Sequence, residues 1–271
     1  MADVEDRVDR VEAVARRGAT VAAEGFDGVE AETKGGATRV VDPGDVVTAA
    51  DRAAQRAVRE AVRERFPSDA FVGEEADARE RVPDDGVAWV VDPIDGTYNF
   101  VRGLPTWTTA VGLVVDGRTV AAATVAPGLG DAYAATGEAT TLNGRPVTVS
   151  DRTAPETFAA AYTVVPPFGA RGAYAAGVAG MFERFGEVRR VGSLQLVLAL
   201  VAAGVLEGVV TSEAVRPWDG VGGVHLVRTA GGVVTDLDGD RWTRDATGLV
   251  ASNGAAHGAF LDVGRRMAGR D

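Results

Sequence analysis

The strongest constraint on this chain is a change in how its apolar runs are spaced. Ahead of residue 151, runs with strand character recur at short intervals: Thr108 to Val115, Thr119 to Val125 and Asp131 to Ala135. Asp116-Gly117 joins the first two as a hairpin, and Asn143-Gly144 marks another tight turn. After residue 157 the pattern becomes an alternation. Strands are expected at Phe158 to Val165, Val188 to Val191, Val205 to Thr211, Val233 to Asp236 and Leu249 to Ser252. Helices are expected between them at Arg171 to Phe185, Leu194 to Ala203 and Asp219 to Ala230, with a last one from Ala255. An α+β half followed by an α/β half is the predicted class. The polar, turn-rich DRTAPET at Asp151 to Thr157 is the expected seam, dividing the chain into 1–150 and 151–271.

The first half opens with apolar positions at helical spacing from Val4 to Val21, and Thr48 to Phe66 is a second helix pattern that ends at Pro67. Gly25 to Gly44, rich in Gly, Asp and Thr, reads as a loop or weak hairpin. A short strand, Ala70 to Val72, runs directly into Gly73-Glu74-Glu75.

Composition excludes several classes. The chain has no cysteine, which removes disulfides, zinc-thiolate sites and cysteine nucleophiles. Its longest apolar run, Leu196 to Leu206, is too short to span a bilayer, and the acidic N-terminus has no secretory pattern, so a cytoplasmic protein is expected. The formal charge is −11 with a pI near 4.8, and Lys34 is the only lysine. A broad basic face for nucleic acid is therefore not expected. Arginine-rich, acidic composition fits either a GC-rich genome or adaptation to high salt, where self-repulsion is screened.

Chemistry concentrates in VVDPIDGTYNF, Val90 to Phe100, where Asp92 and Asp95 stand at the end of an apolar strand around Pro93. Glu74 lies just past another strand, Asp51 in the first turn of a helix, and Asp219 at the start of a helix in the second half. Magnesium is held by a few carboxylates and completes its shell with water and substrate phosphate. Two such ions can clamp the attacking and leaving oxygens of a displacement. Pro93 fixes the backbone so that the Ile94 carbonyl can serve as a neutral ligand. Gly96 and Thr97 can present backbone N–H groups to an anion. Caps and turns explain isolated Asp residues equally well, and residue spacing alone leaves both readings open.

WVVDPIDGTYNF (89–100), together with FVGEE (71–75), DVVTAAD (45–51) and PWDGVGGVHLVRTAGG (217–232), resembles the inositol monophosphatase family. The first three resemble its W-x-x-D-P-I-D-G-T-x-N-F, G-E-E and D-x-V-T-x-x-D elements, and the last its W-D-x-A-A-G element with Gly222-Gly223 near the usual small residues; along the chain they occur in family order. The resemblance implies a layered α-β-α-β-α sandwich with the site between two halves, and in many members a homodimer. It implies two magnesium ions, with a third near Glu74. Glu74, Asp92 and the Ile94 carbonyl would hold the first, which activates a water; Asp92, Asp95 and Asp219 would hold the second. Asp51 and Thr97 would orient that water. Asp95, Gly96, Thr97, Glu213 and Asp219 would contact the substrate, a small phosphorylated sugar or cyclitol. Inositol phosphate hydrolysis is the leading activity implied, and fructose-1,6-bisphosphatase activity the nearest alternative. A 3′-phosphonucleotide phosphatase or a metal-binding regulator without turnover are the more distant ones.

Departures from the family pattern cluster on the substrate side. The loop from Lys34 to Asp45 is long and displaces the usual lysine, for which Arg39 is a stand-in. Leu194-Gln195 occupies the place of small alanines, and Glu213 sits a residue or so from the expected substrate carboxylate. Among the remaining polar residues, His225, one of only two histidines with His257, is expected to have a core or surface role and Ser193 to cap a helix. Trp89 and Trp218 are expected to pack behind the metal carboxylates. DLDGD at 236–240 lacks the downstream glutamate of a calcium loop and reads as a turn.

Overall fold

The computed structural model describes residues 2–26, 32–33, 46–75 and 78–270. The loop at 34–45, with Lys34 and Arg39, lies outside the described residues. In the first half, α1 (Ala2–Glu24) is followed by the paired strands β1 (Glu32–Thr33) and β2 (Val46–Val47), then by α2 (Ala49–Arg65). Thr48 starts α2 with a capping box: its hydroxyl accepts from the Asp51 amide, and the Asp51 carboxylate accepts from the Thr48 amide at 2.8 Å.

Strands β3 (Ala70–Gly73), β4 (Val87–Asp95), β5 (Thr108–Val115), β6 (Arg118–Ala126), β7 (Asp131–Ala135), β8 (Thr140–Leu142) and β9 (Arg145–Val147) form one sheet in chain order. The β3–β4 pair is parallel and the rest are antiparallel. The short helix α3 (Thr97–Val101) interrupts the series after β4. Asp116 and Gly117 both take positive φ, 46° and 74°, and so do Asn143 and Gly144, 50° and 77°. These are the two-residue turns whose twist suits adjacent antiparallel strands.

The second sheet takes β10 (Ala159–Tyr162), β11 (Glu187–Arg189), β12 (Gly208–Ala214), β13 (Val233–Thr235) and β14 (Thr247–Ser252) in the order β11-β10-β12-β14-β13. Four helices accompany it: α4 (Arg171–Arg184), α5 (Leu194–Ala202), α6 (Pro217–Thr229) and α7 (His257–Met267). Two expected strands differ. The run at 205–211 becomes strand only from Gly208, because Gly204 at φ 69° turns the chain out of α5 and the amides of residues 203–206 still bond back to α5 carbonyls. The run at 158–165 stops at Tyr162, and Val164 takes φ 49°, which a strand excludes.

Side-chain alternation builds the layers. Trp89, Val91, Val111 and Leu113 face α1 and α2, whereas Ala88, Val90 and Val114 face Trp218 and Val221 of α6. Between the sheets, α5 and α6 pack against Ala122 and Tyr133 on one side and Val209, Leu249 and Ala251 on the other. Helices α4 and α7 cover the outer face of the second sheet around Phe158, Phe185 and Phe260. The result is the expected α-β-α-β-α sandwich. Among the described residues no helix is long and apolar enough to cross a membrane.

Candidate active site

The site forms where β4 leaves its sheet and meets the N-terminal ends of α5 and α6. In a regular strand, residues three apart point to opposite faces. Asp92 pairs with Ala110 but Asp95 with Thr108, so β4 carries one more residue than β5 over this step. That bulge sits at Pro93-Ile94, a place where proline is tolerated because no ladder hydrogen bond is lost. The Thr109 hydroxyl pins it by donating to the Pro93 carbonyl at 2.7 Å. The extra residue brings Asp95 back to the side of Asp92. Asp219, in the first turn of α6 behind Pro217, joins them, and one oxygen from each of the three carboxylates lies within 4.8 Å of the others.

These carboxylates differ in how they are held. Asp95 is well supplied: the Ser193 hydroxyl donates to its Oδ2 at 2.5 Å and the Gln195 amide at 2.6 Å. Burial raises Asp95 to about 6 against those hydrogen bonds. Asp92 is only 1% exposed, and its Oδ1 is shut from solvent with no hydrogen-bond partner. Burial first, then the charges of Glu74, Asp95, Asp219 and Asp51, push Asp92 well above the usual carboxylate range. Such an oxygen, among this many like charges, is the environment a divalent cation satisfies.

Asp51 and Thr97 meet across α2 and α3. The Thr97 hydroxyl lies 3.2 Å from Asp51 Oδ1 and 2.9 Å from the Ile94 carbonyl, two acceptors for one proton. Burial raises Asp51 to about 6, with the bonds from Thr48 opposing and Glu74 adding to the rise. Gly96 stands at φ 92°, where a side chain would be strained, and a Cβ there would press on Ser193 and on the Gly192 and Thr106 carbonyls at 3.1–3.2 Å.

A cleft of about 230 Å³ is lined by Glu74, Asp92, Ile94, Asp95, Gly96, Thr97 and Asp219, together with Leu194, Arg171 and Arg190. Asp51 reaches this group through Thr97. Glu213 is not brought in: it lies half-buried on β12, its carboxylate taking the Ser212 hydroxyl, and it does not line the cleft.

Gln195 also differs from expectation. It does not face the substrate side but braces the two central helices, donating to the Trp218 carbonyl at 2.6 Å and accepting from the Gly223 amide at 2.8 Å. A polar residue at the start of the apolar run Leu194 to Ala203 is the signal of such a brace. Gln55, a residue sequence reasoning passed over, does the same for the Glu74 turn. It accepts from the Glu75 amide at 3.0 Å and donates to the Glu75 carbonyl at 3.2 Å, and a Cβ on Gly73 would collide with it. Asn99 ties α3 to the loop before α5 by donating to the Thr106 and Val191 carbonyls.

The supporting residues are placed as expected. Ser193 caps α5, Trp89 and Trp218 are buried, and Asp236 Oδ1 closes the 236–240 turn by accepting from the Asp238 and Asp240 amides. His257 bridges the Thr235 and Ser252 hydroxyls.

A sequence profile of the inositol monophosphatase family matches residues 4–265. The chain is 34% identical over 231 residues to Nus factor SuhB of Escherichia coli strain K12, covering 84% of this chain and 82% of that protein. It is 32% identical over 226 residues to the fructose-1,6-bisphosphatase/inositol-1-monophosphatase of Thermotoga maritima, covering 81% and 82%. Among solved structures, an inositol monophosphatase of Thermotoga maritima superimposes with a TM-score of 0.86 at 28% identity, over 97% of this chain and 98% of that one.

Proposed function

Since the chain belongs to the inositol monophosphatase family, a family of phosphatases, we propose that it is a magnesium-dependent phosphomonoesterase acting on a small sugar or inositol phosphate. The observation that carries this reading is Asp92 Oδ1, buried and unpartnered among Glu74, Asp95, Asp219 and Asp51.

In this reading Glu74, Asp92 and the Ile94 carbonyl hold one ion, and Asp92, Asp95 and Asp219 a second, with Glu74 available to a third. Magnesium, when bound, lowers the pKa of a coordinated water and neutralises phosphate charge. The chain's own groups do the positioning. Asp51 fixes Thr97, and the Thr97 hydroxyl, set between two acceptors, orients the attacking water. Gly96 allows the backbone to approach the phosphate, and the first-turn amides of α3 have no intrahelical acceptor. Water adds to phosphorus as the ester P–O bond breaks, releasing orthophosphate and the alcohol. No covalent phospho-enzyme is required, since a loose transition state asks mainly for position and charge stabilisation.

A bisphosphate substrate is favoured by a separate observation. Arg171 and Arg190 line the same cleft as the carboxylates, and Arg171 is steadied by the Pro166 carbonyl at 2.8 Å and by the Phe168 ring. Two guanidiniums there suit a second phosphate on the substrate. A homodimer is part of this reading, and sedimentation measures it directly.

The test is phosphate release, with magnesium, from inositol 1-phosphate, fructose 1,6-bisphosphate and a 3′-phosphonucleotide. Release from the first two is expected, with Arg171→Ala and Arg190→Ala raising KM for the bisphosphate selectively. Folded, magnesium-loaded protein that releases phosphate from none of them overturns the reading in favour of a non-catalytic binding protein.

A further inference from the structure

Well away from the acidic cleft, a second cavity of about 770 Å³ opens between the β5–β6 turn, the C-terminal half of α6 and the segment after β13. Its walls carry Arg118, Arg228, Arg241 and Arg244, with Asp245 as the lining carboxylate. That is a concentration of cations in a chain of net charge −11. Elsewhere arginines pair with carboxylates, as in Arg7–Asp69, Arg10–Asp6 and Arg16–Glu12. In the cavity, Arg244 pairs with Asp84, whose side chain is 92% exposed. Arg228 donates to the neutral carbonyls of Val234 and Trp242. Neither Arg118 nor Arg241 has an ion pair among the described residues.

Two polar atoms of lining residues are buried behind its surface. His225 Nε2 and Trp242 Nε1 belong to lining residues, are shut from solvent and have no hydrogen-bond partner. Burial, and then the charge of Arg241, pull the Arg228 guanidinium down to about 10. Burial, and then Arg228, pull His225 down to about 4. Of these groups only the Arg228 and Arg241 guanidiniums repel one another, since His225 is neutral at neutral pH.

We propose that this cavity is a binding site for a small polyanion with adjacent phosphate groups, distinct from the catalytic cleft. The volume is that of a small-molecule pocket. Arginines from three elements line the cavity, and several planar forks together can meet more phosphate oxygens than a single arginine can. The site sits on α6, whose opposite end presents Asp219.

An inorganic phosphate chain and a nucleotide tail share this chemistry, so two probes are needed. The full chain, freed of divalent cations so that the acidic cleft has no metal to hold an anion, is titrated calorimetrically with tripolyphosphate and, separately, with ATP. The KCl concentration is the lowest that keeps the chain folded. Saturable binding of one molecule is expected, weakened about tenfold or more in the double variant Arg118→Ala, Arg241→Ala. Arg190→Ala, in the acidic cleft, should bind like the parent. Tighter binding of ATP assigns the site to nucleotides, and equal binding assigns it to the phosphate chain. Both arginines are at the surface or its edge, so the thermal midpoint of the double variant should match the parent. The proposal is overturned if neither probe saturates, if the double variant binds as tightly as the parent, or if Arg190→Ala loses binding to the same degree.

Discussion

At the scale of single residues, two positions show how closely conformation and charge are matched to place. Gly96 occupies φ 92° beside two carbonyls, so Gly96→Ala combines left-handed strain with a tight contact. The cost expected is about 1–2 kcal/mol of stability, and a larger loss of turnover because Thr97 is displaced from Asp51. Equal kcat in the variant would mean that the Thr97 placement is not needed. His225 illustrates charge. Its folded-state value, about 4, lies below the ordinary 6.5, so its neutral form is the one that folds. Its contribution to stability is complete above pH 6.5 and is lost as pH falls toward 4. Denaturation of His225→Leu and parent at pH 7.5 and 4.5 should show the parent losing on the order of 2 kcal/mol more than the variant. A parallel decline would mean that the imidazole is hydrated in the fold. Both residues stood out in the sequence, Gly96 inside a recognisable motif and His225 as one of only two histidines. Their conformation and surroundings did not.

At the scale of elements, turn chemistry was the most legible feature and register the least. Asp116-Gly117, Asn143-Gly144, Thr48 and Ser193 announce turns and helix starts because each acts through its own neighbours. The bulge at Pro93-Ile94 is different: counting residues against β5 requires knowing which strand is the partner, and Thr109, which pins it, is 16 residues away. Gln195 is a similar case. Its partners, Trp218 and Gly223, lie 23 and 28 residues along the chain, so sequence reasoning placed it toward the substrate although it joins α5 to α6. Gln195→Ala should leave the Trp218 carbonyl and Gly223 amide without this partner and lower stability by about 1–3 kcal/mol. Because α6 carries Asp219, apparent magnesium affinity should fall as well. Chemical denaturation and magnesium titration of the variant check both, and an unchanged magnesium affinity would separate the brace from the site.

At the scale of the whole molecule, the five layers bring carboxylates from positions 74, 92, 95 and 219 to one cleft. The order of layers was what the family resemblance implied, and the change of pattern near residue 151 marked only an α+β half followed by an α/β half. The substrate wall was less legible, because its arginines, Arg171 and Arg190, come from segments without a motif. The net charge of −11 belongs to this scale too. If it is a salt adaptation, activity should hold or rise toward about 1 M KCl, where self-repulsion is screened over a few ångströms. Loss of activity in a few hundred millimolar KCl, with the fold retained by circular dichroism, would point instead to a codon-driven composition.

The account rests on Asp92 being buried for the sake of a cation, and a magnesium titration tests that most directly. Calorimetry and thermal denaturation would be run on metal-free parent and Asp92→Asn. The parent should bind more than one magnesium ion and gain stability with it. The variant should lose that binding, yet in the metal-free state be more stable than the parent by of order 1 kcal/mol, roughly 2–4 °C, because a buried charge among like charges has been removed. A parent that binds no magnesium, or a variant that binds it equally well, would contradict the account.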